Sequence, residues 1–352
     1  MQYFKYFIIS FLFISCETLV DDLPLSRFPE LKSKLVLTSF ISPQDSLIKV
    51  RLSQSIPLFG EFPANKLMKV IDNKGDTILI ANYDTESIVE DAQMILSNGV
   101  QSVTIPFDIR TREYVIPMTR FPIMAGETYT LTAKTKDLFV EATTTVPFEQ
   151  INVRNVKIDS VYEQSNIWEP DSLGHFKPST KKVKVYYVEF DWKDKPEIAN
   201  YYKIDALIYF EVEFPNLING KIVYKNIRQA AYTNWSANEY APLKRYLNDI
   251  KYDGKQIYSP RGRIESLNIA GSGTTLNGQF YPAKLLNKNP TLTIKLNNVN
   301  KDFYENQVSI EKTEPFGDGN PFVEPVQIYS NVKNGLGCFG AFNQSKFITQ
   351  IK

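Results

Sequence analysis

The sequence predicts a mainly β protein: an N-terminal immunoglobulin-like β-sandwich, then a second β-rich domain with long loops and little helix. Three observations carry that expectation. Apolar and polar residues alternate in short runs, the period-two signature of a half-buried strand. Gly, Pro, Asn and Asp punctuate those runs every ~8–12 residues, the spacing of a sandwich. Aromatic residues, which favour a pleated surface, make up 13% of the chain, with 20 Tyr and 23 Phe.

The elements follow in order. Residues 1–15 read as a signal peptide: Lys5 supplies the positive end, Tyr6 to Ile14 the apolar middle, and the small Ser15 precedes Cys16. The run is too short to cross a bilayer, for which ~20 apolar residues are needed. Leu12-Phe13-Ile14-Ser15-Cys16 resembles a bacterial lipobox, with Phe13 where Leu is commoner. In a lipobox the thiol is acylated and becomes the new N-terminus, so Cys16 is expected to attach the protein to a membrane through lipid. Each buried CH₂ of such chains contributes ~0.8 kcal/mol, and several chains together hold permanently. Residues 16–33, with Glu17, Asp21, Asp22, Pro24 and Pro29 and no periodicity, read as a tether.

Residues 34–148 form the expected sandwich. LVLTSFI, SPQD and LIKVRL make a hairpin in which Leu35 and Leu37 alternate with Val36 and Thr38, and Ile48, Val50 and Leu52 with Lys49 and Arg51. KVIDNKGDTILIANY turns at Asn73-Lys74-Gly75, and TYTLTAKTKDLFVEATTTV reads as a further strand pair closed by Pro147. Glu86 to Leu96 is expected as the one helical interruption.

Residues 149–352 carry three long strand patterns, KKVKVYYVEFDW, YYKIDALIYFEVEF and TLTIKLNNV. Long polar loops with a short helix near Pro242 to Asn248 are expected between them. Trp168 and Trp235 fall in segments that read as loops, as do Tyr232 and Tyr240. Exposed aromatics there could stack on a sugar or enter a partner's pocket, which makes Trp168 and Trp235 the candidate ligand-binding residues.

The chemical inventory is thin. With 40 basic and 39 acidic residues the net charge is +1, so nothing draws the chain to nucleic acid. His175 is the only histidine, in the polar stretch DSLGHFKPS, and no GxSxG elbow accompanies it. Of the two cysteines, Cys16 is assigned to lipid, which leaves Cys338 without a disulfide partner. IAGSGTTLNG lacks the Lys-Ser/Thr of a phosphate-binding loop and reads as a turn. Carboxylate pairs such as Glu189 with Asp191, or Asp302 with Glu305, could in principle act on a glycosidic bond. Glu314, Asp318, Asn320 and Glu324 offer oxygen ligands of the kind Ca²⁺ takes, without the alternation of an EF-hand. The expectation is a protein that is not an enzyme, with no catalytic residues, no cofactor and no metal.

Three segments carry a resemblance: KLVLTSFISPQDSLIKVRLSQSIPL, AGETYTLTAKTKDLFVEATTTVPFE and NPFVEPVQIYSNVKNGLGCFGAF. They are similar to Bacteroidetes outer-membrane lipoproteins grouped as domain-of-unknown-function family 4249, over essentially the whole chain behind Cys16. The resemblance implies an outer-membrane, lipid-anchored protein at the cell surface. It also implies an accessory role beside a TonB-dependent (SusC-like) receptor in nutrient uptake or surface transport. It carries over no catalytic residue. Where the last motif commonly has an aliphatic residue this chain has Cys338, which implies a buried, inert thiol.

Overall fold

A computed structural model describes residues 33–55, 67–71, 77–81, 87–170, 175–235, 245–267, 269, 272–286, 290–313 and 327–351, and structural statements refer to these. Among the described residues the regular structure is β apart from one helix. No helix among the described residues is long and apolar enough to cross a membrane.

Strands β1 (Leu35–Ile41) and β2 (Leu47–Gln54) form the hairpin read from the alternation, with Leu37 opposite Leu52. Every second residue of each is buried. Strands β3 (Leu67–Ile71) and β4 (Thr77–Ala81) pair with each other. The helix expected over Glu86 to Leu96 is absent: those residues include β5 (Ser87–Ile88) and the start of β6 (Gln93–Ser97). Met94 and Leu96 lie opposite Ala133 and Leu131 and are buried with them, so the period that decides is two. Strands β7 (Ser102–Thr104), β8 (Phe107–Asp108), β9 (Glu113–Pro117), β10 (Thr128–Lys134) and β11 (Phe139–Thr145) complete this half.

Four long strands follow: β12 (Arg154–Pro170), β13 (Phe176–Lys193), β14 (Tyr201–Ile218) and β15 (Lys221–Tyr232). Next come β16 (Tyr246–Asn248), β17 (Gln256–Tyr258), β18 (Gly262–Glu265), β19 (Gly273–Leu276), β20 (Gln279–Pro282) and β21 (Lys284–Leu285). The expected helix near Pro242 to Asn248 is replaced at its described end by β16, whose backbone extends the ladder of β14. The glycine-rich IAGSGTTLNG supplies β19 and the turn into β20. Last are β22 (Thr291–Val299), the helix α1 (Lys301–Glu311) and β23 (Leu336–Gln350).

The largest sheet runs β15-β14-β22-β23-β1-β2-β9-β8, and a second runs β11-β10-β6-β7. Side chains of β1, β2 and β9 meet those of β6, β10 and β11 in one buried cluster, to which β23 adds Phe339 and Ala341. A second cluster joins β13 to β14 and β22, with Trp192, Tyr202, Phe210 and Trp235 among its members. β23 touches both halves of the large sheet: Phe342 to Gln350 pair antiparallel with β22, and Leu336 to Ala341 pair parallel with β1. The parallel half passes close. Gly337, at φ +105°, would place a Cβ 2.1 Å from the Leu37 carbonyl oxygen.

Helix α1 lies on the outer face of this junction. Phe303 packs on Phe40, with ring centroids 4.6 Å apart, and on Phe342 at 6.0 Å. Gly340 makes the approach possible, since a Cβ there would sit 2.9 Å from that of Phe303. Asn300 caps the helix: its Oδ1 accepts from the Phe303 and Ala341 amides, and its Nδ2 donates to Thr144 Oγ1.

Candidate functional site

The β12–β13 hairpin holds one residue of interest in plain view. Its pairing is regular from Lys157 opposite Glu189 to Pro170 opposite Phe176. β18 pairs with β13 only at Val185–Val188 and β17 only at Asp191–Lys193, so the distal part is a two-stranded ribbon. Trp168 lies in this ribbon opposite Pro178 and is 61% exposed. It is a strand residue, not a loop residue as expected, but its ring does face water. Tyr162, on the same face six residues away, is 70% exposed. Sequence reasoning missed Tyr162, although the even spacing from 162 to 168 announces it.

Trp235 is different. It is 3% exposed and packs edge-to-face on Phe190, with centroids 6.1 Å apart, against the backbone of Gly262. The expectation of a loop aromatic open to ligand is therefore wrong. The preceding residue, Asn234, forms an isolated bridge with Arg263, next to the Gly262 on which the indole packs. Tyr232 is exposed on β15.

Carboxylates named from the sequence do structural work. Asp191 is buried and accepts two hydrogen bonds from Asn155 Nδ2, at 3.2 and 2.9 Å, whereas Glu189 is exposed. Asp302 accepts from the Tyr329 hydroxyl at 2.5 Å near the start of α1. His175 is exposed. Cys338 is buried, its thiol pushed up to about 12 by desolvation and then by Asp302, and its Sγ donates toward the Asp302 carbonyl. A thiol so held is a poor nucleophile and a poor metal ligand.

One cluster was not legible in the sequence. Asp194, Asp249 and Asp253 bring carboxylate oxygens within 4.8 Å of one another, the first two buried and the third exposed. Asp194 accepts from the Tyr202 hydroxyl and the Gly254 amide, Asp249 from the Asn200 amide at 2.8 Å, and Asp253 from the Glu197 amide at 2.9 Å. Burial pushes the Asp194 carboxyl above its usual range. The Tyr202 and Gly254 donors oppose that shift, and Asp249 and Asp253 add to it. Three oxygens could hold a hard divalent cation, yet each already organises the chain between β13, β14 and the turn before β17. Beside them a groove of about 520 Å³ is lined by Phe148, Ile198, Tyr201, Val299 and Lys301, with the Glu149–Lys195 ion pair at its rim.

Cys16, Tyr240 and the run holding Glu314, Asp318, Asn320 and Glu324 lie outside the described residues. The family described as Domain of unknown function (DUF4249) matches residues 24–348. The chain belongs to that family. Comparison of this DUF4249 protein with curated proteins and with solved structures finds no match.

Proposed function

We propose that this DUF4249 protein is a non-enzymatic lipoprotein, anchored at the outer membrane through Cys16, that serves as accessory partner of a TonB-dependent receptor in nutrient uptake. The lipobox and the family resemblance support the location and the class of partner. The observation that carries the partner role is the β14–β15 hairpin. Leu217, Ile218, Val223, Tyr224 and Ile227 are all exposed there, and β15 is the outermost strand of the large sheet. Unpaired edge strands with apolar side chains invite association, and a lone soluble protein usually blunts them. Aliphatic residues flanking a tyrosine suit the apolar centre of a protein–protein interface. On this reading the hairpin lies against the receptor's outer surface.

The test is affinity isolation of the full-length protein from outer membranes. A β-barrel receptor is expected in the isolate, and Tyr224→Asp with Ile227→Asp is expected to remove it while the protein stays folded. Recovery of no barrel, or undiminished recovery with the double variant, refutes the docking surface. Replacing Cys16 by Ser is expected to abolish labelling by a palmitate analogue and to release the protein from the membrane; membrane retention of that variant refutes the anchor. A second reading, binding of a glycan or other nutrient through aromatics, is favoured by the exposure of Trp168.

A further inference from the structure

We infer that the solvent face of the distal β12–β13 ribbon binds an acidic polysaccharide of the polyuronate class, independently of the receptor contact. In an antiparallel pair, directly opposed residues share a face and alternate along each strand. The even-numbered face presents Tyr162, Gln164, Asn166 and Trp168 from β12, opposite Lys184, Lys182, Thr180 and Pro178 of β13. All but Lys184 are exposed, whereas the odd-numbered face buries Ile167 and Val185. The two aromatic rings therefore sit on the side that faces water, against the usual preference.

The chemistry of this face is mixed in an informative way. Tyr162 and Trp168 stand about 20 Å apart along the strand, several sugar rings, from six steps of ~3.3 Å. Their ring faces are electron-rich and pair with the polarised C–H bonds on the flat side of a pyranose. Between them lie two amides. Thr180 Oγ1 donates to Asn166 Oδ1 at 3.0 Å, which leaves the Asn166 amide N–H groups to donate outward to hydroxyls. Lys182 lies across from Gln164 and Lys184 across from Tyr162, and no carboxylate occupies this face from Ser160 to Trp168 or from Pro178 to Tyr186.

That combination selects among occupants. A protein partner would find no aliphatic residue here, and interface centres are depleted of lysine. The β14–β15 hairpin differs in that it does expose aliphatic residues, Leu217, Ile218, Val223 and Ile227. A neutral glycan would use the rings and amides but give no anion to the exposed Lys182, nor to Lys184, whose ammonium lies 5.1 Å from the Tyr186 ring centre. Single-stranded nucleic acid also stacks on aromatics beside cations, but it is followed by an extended basic groove, and this chain carries a net charge of only +1. A polyuronate supplies stacking faces, hydroxyls and carboxylates for the lysines.

The experiment is calorimetric titration of the full-length protein in detergent with a galacturonic acid hexamer, an uncharged glucose hexamer and a single-stranded oligothymidylate. The uronate hexamer is expected to bind, and Trp168→Ala or Tyr162→Ala to weaken it at least about tenfold, which corresponds to about 1.4 kcal/mol. Lys182→Gln is expected to weaken it about threefold and to flatten its salt dependence. Unfolding midpoints of these surface variants check that the fold is intact. The inference is overturned by absence of uronate binding at millimolar concentration, by equal affinity for the neutral hexamer, by tighter binding of the oligothymidylate, or by unchanged affinity in the double aromatic variant. Loss of receptor co-isolation in that double variant, without any uronate binding by the wild type, assigns the face to protein and overturns it too.

Discussion

Gly337→Ala tests the join between β23 and β1. A methyl group there would lie 2.1 Å from the Leu37 carbonyl oxygen and 2.8 Å from its carbon, both backbone atoms, so no rotamer change relieves it. Ordinary contact requires more than an ångström of additional separation, which the parallel ladder from Val36 opposite Leu336 to Ile41 opposite Ala341 has to supply. Overpacking of this kind costs about 1–3 kcal/mol, and the positive φ adds about 1–3 kcal/mol for a residue with a Cβ. A loss of about 3–5 kcal/mol is expected, against a total of ~5–15 kcal/mol for an ordinary domain. Gly220→Ala is the control: its φ is +72° and nothing lies within 4 Å of the added carbon, so it carries the backbone cost alone. Both changes lower the entropy of the unfolded chain equally, and that effect cancels in the difference. Urea unfolding followed by circular dichroism gives the two values, and amide exchange in β1 and β23 localises the opening. The reasoning fails if Gly337→Ala is no more destabilising than Gly220→Ala, or if β1 amides keep their protection.

Two further outcomes follow from burial and charge. Trp235→Ala removes a buried indole from its contact with Phe190 and should cost about 3–5 kcal/mol, whereas Trp168→Ala at the exposed ribbon should change stability by less than about 0.5 kcal/mol; similar losses in the two variants would contradict the assignment of their roles. Asp253→Asn keeps an acceptor for the Glu197 amide while removing a negative charge beside Asp194 and Asp249. Because the Asp194 carboxyl titrates above its usual range, its ionised form carries a penalty at neutral pH that is relieved as pH falls through that raised pKa. The substitution should stabilise the protein by under about 1 kcal/mol at neutral pH, with the gain shrinking on acidification. A destabilised variant at neutral pH, in thermal melts run across the pH range, would count against it.

What the sequence reveals depends on how local the deciding contact is. The β1–β2 hairpin is legible because Leu35, Leu37, Ile48, Val50 and Leu52 state their own alternation and only SPQDS separates the strands. The stretch before Ser97 misleads because its apolar residues also fit a helical spacing, and only the facing β10 selects the strand. Helix α1 goes unnoticed because KDFYENQVSIE has a weak apolar stripe, and its stability comes from Phe40, Gly340 and Phe342 on distant strands. Trp168 is recognisable as exposed from its polar neighbours, yet the same argument fails at Trp235, whose ring packs on Phe190 and beside Gly262 in the core. The aspartate triad depends on the β16–β17 turn, which holds Asp249 and Asp253, meeting Asp194 after β13, and no spacing in the sequence encodes that approach.

The parallel pair between β1 and β23 also sets a timetable. β1 has its lateral neighbour β23 far along the chain, so the large sheet stays open at its middle until Leu336 to Gln350 are available. Contacts of such long sequence separation slow folding, because the chain must be ordered before they form. A chain truncated before Leu336 would leave an unpaired β1 edge bordered by Leu35 and Leu37, a surface prone to aggregate and open to proteases. The fold itself thereby checks for β23: only a product that extends through this strand can close the seam.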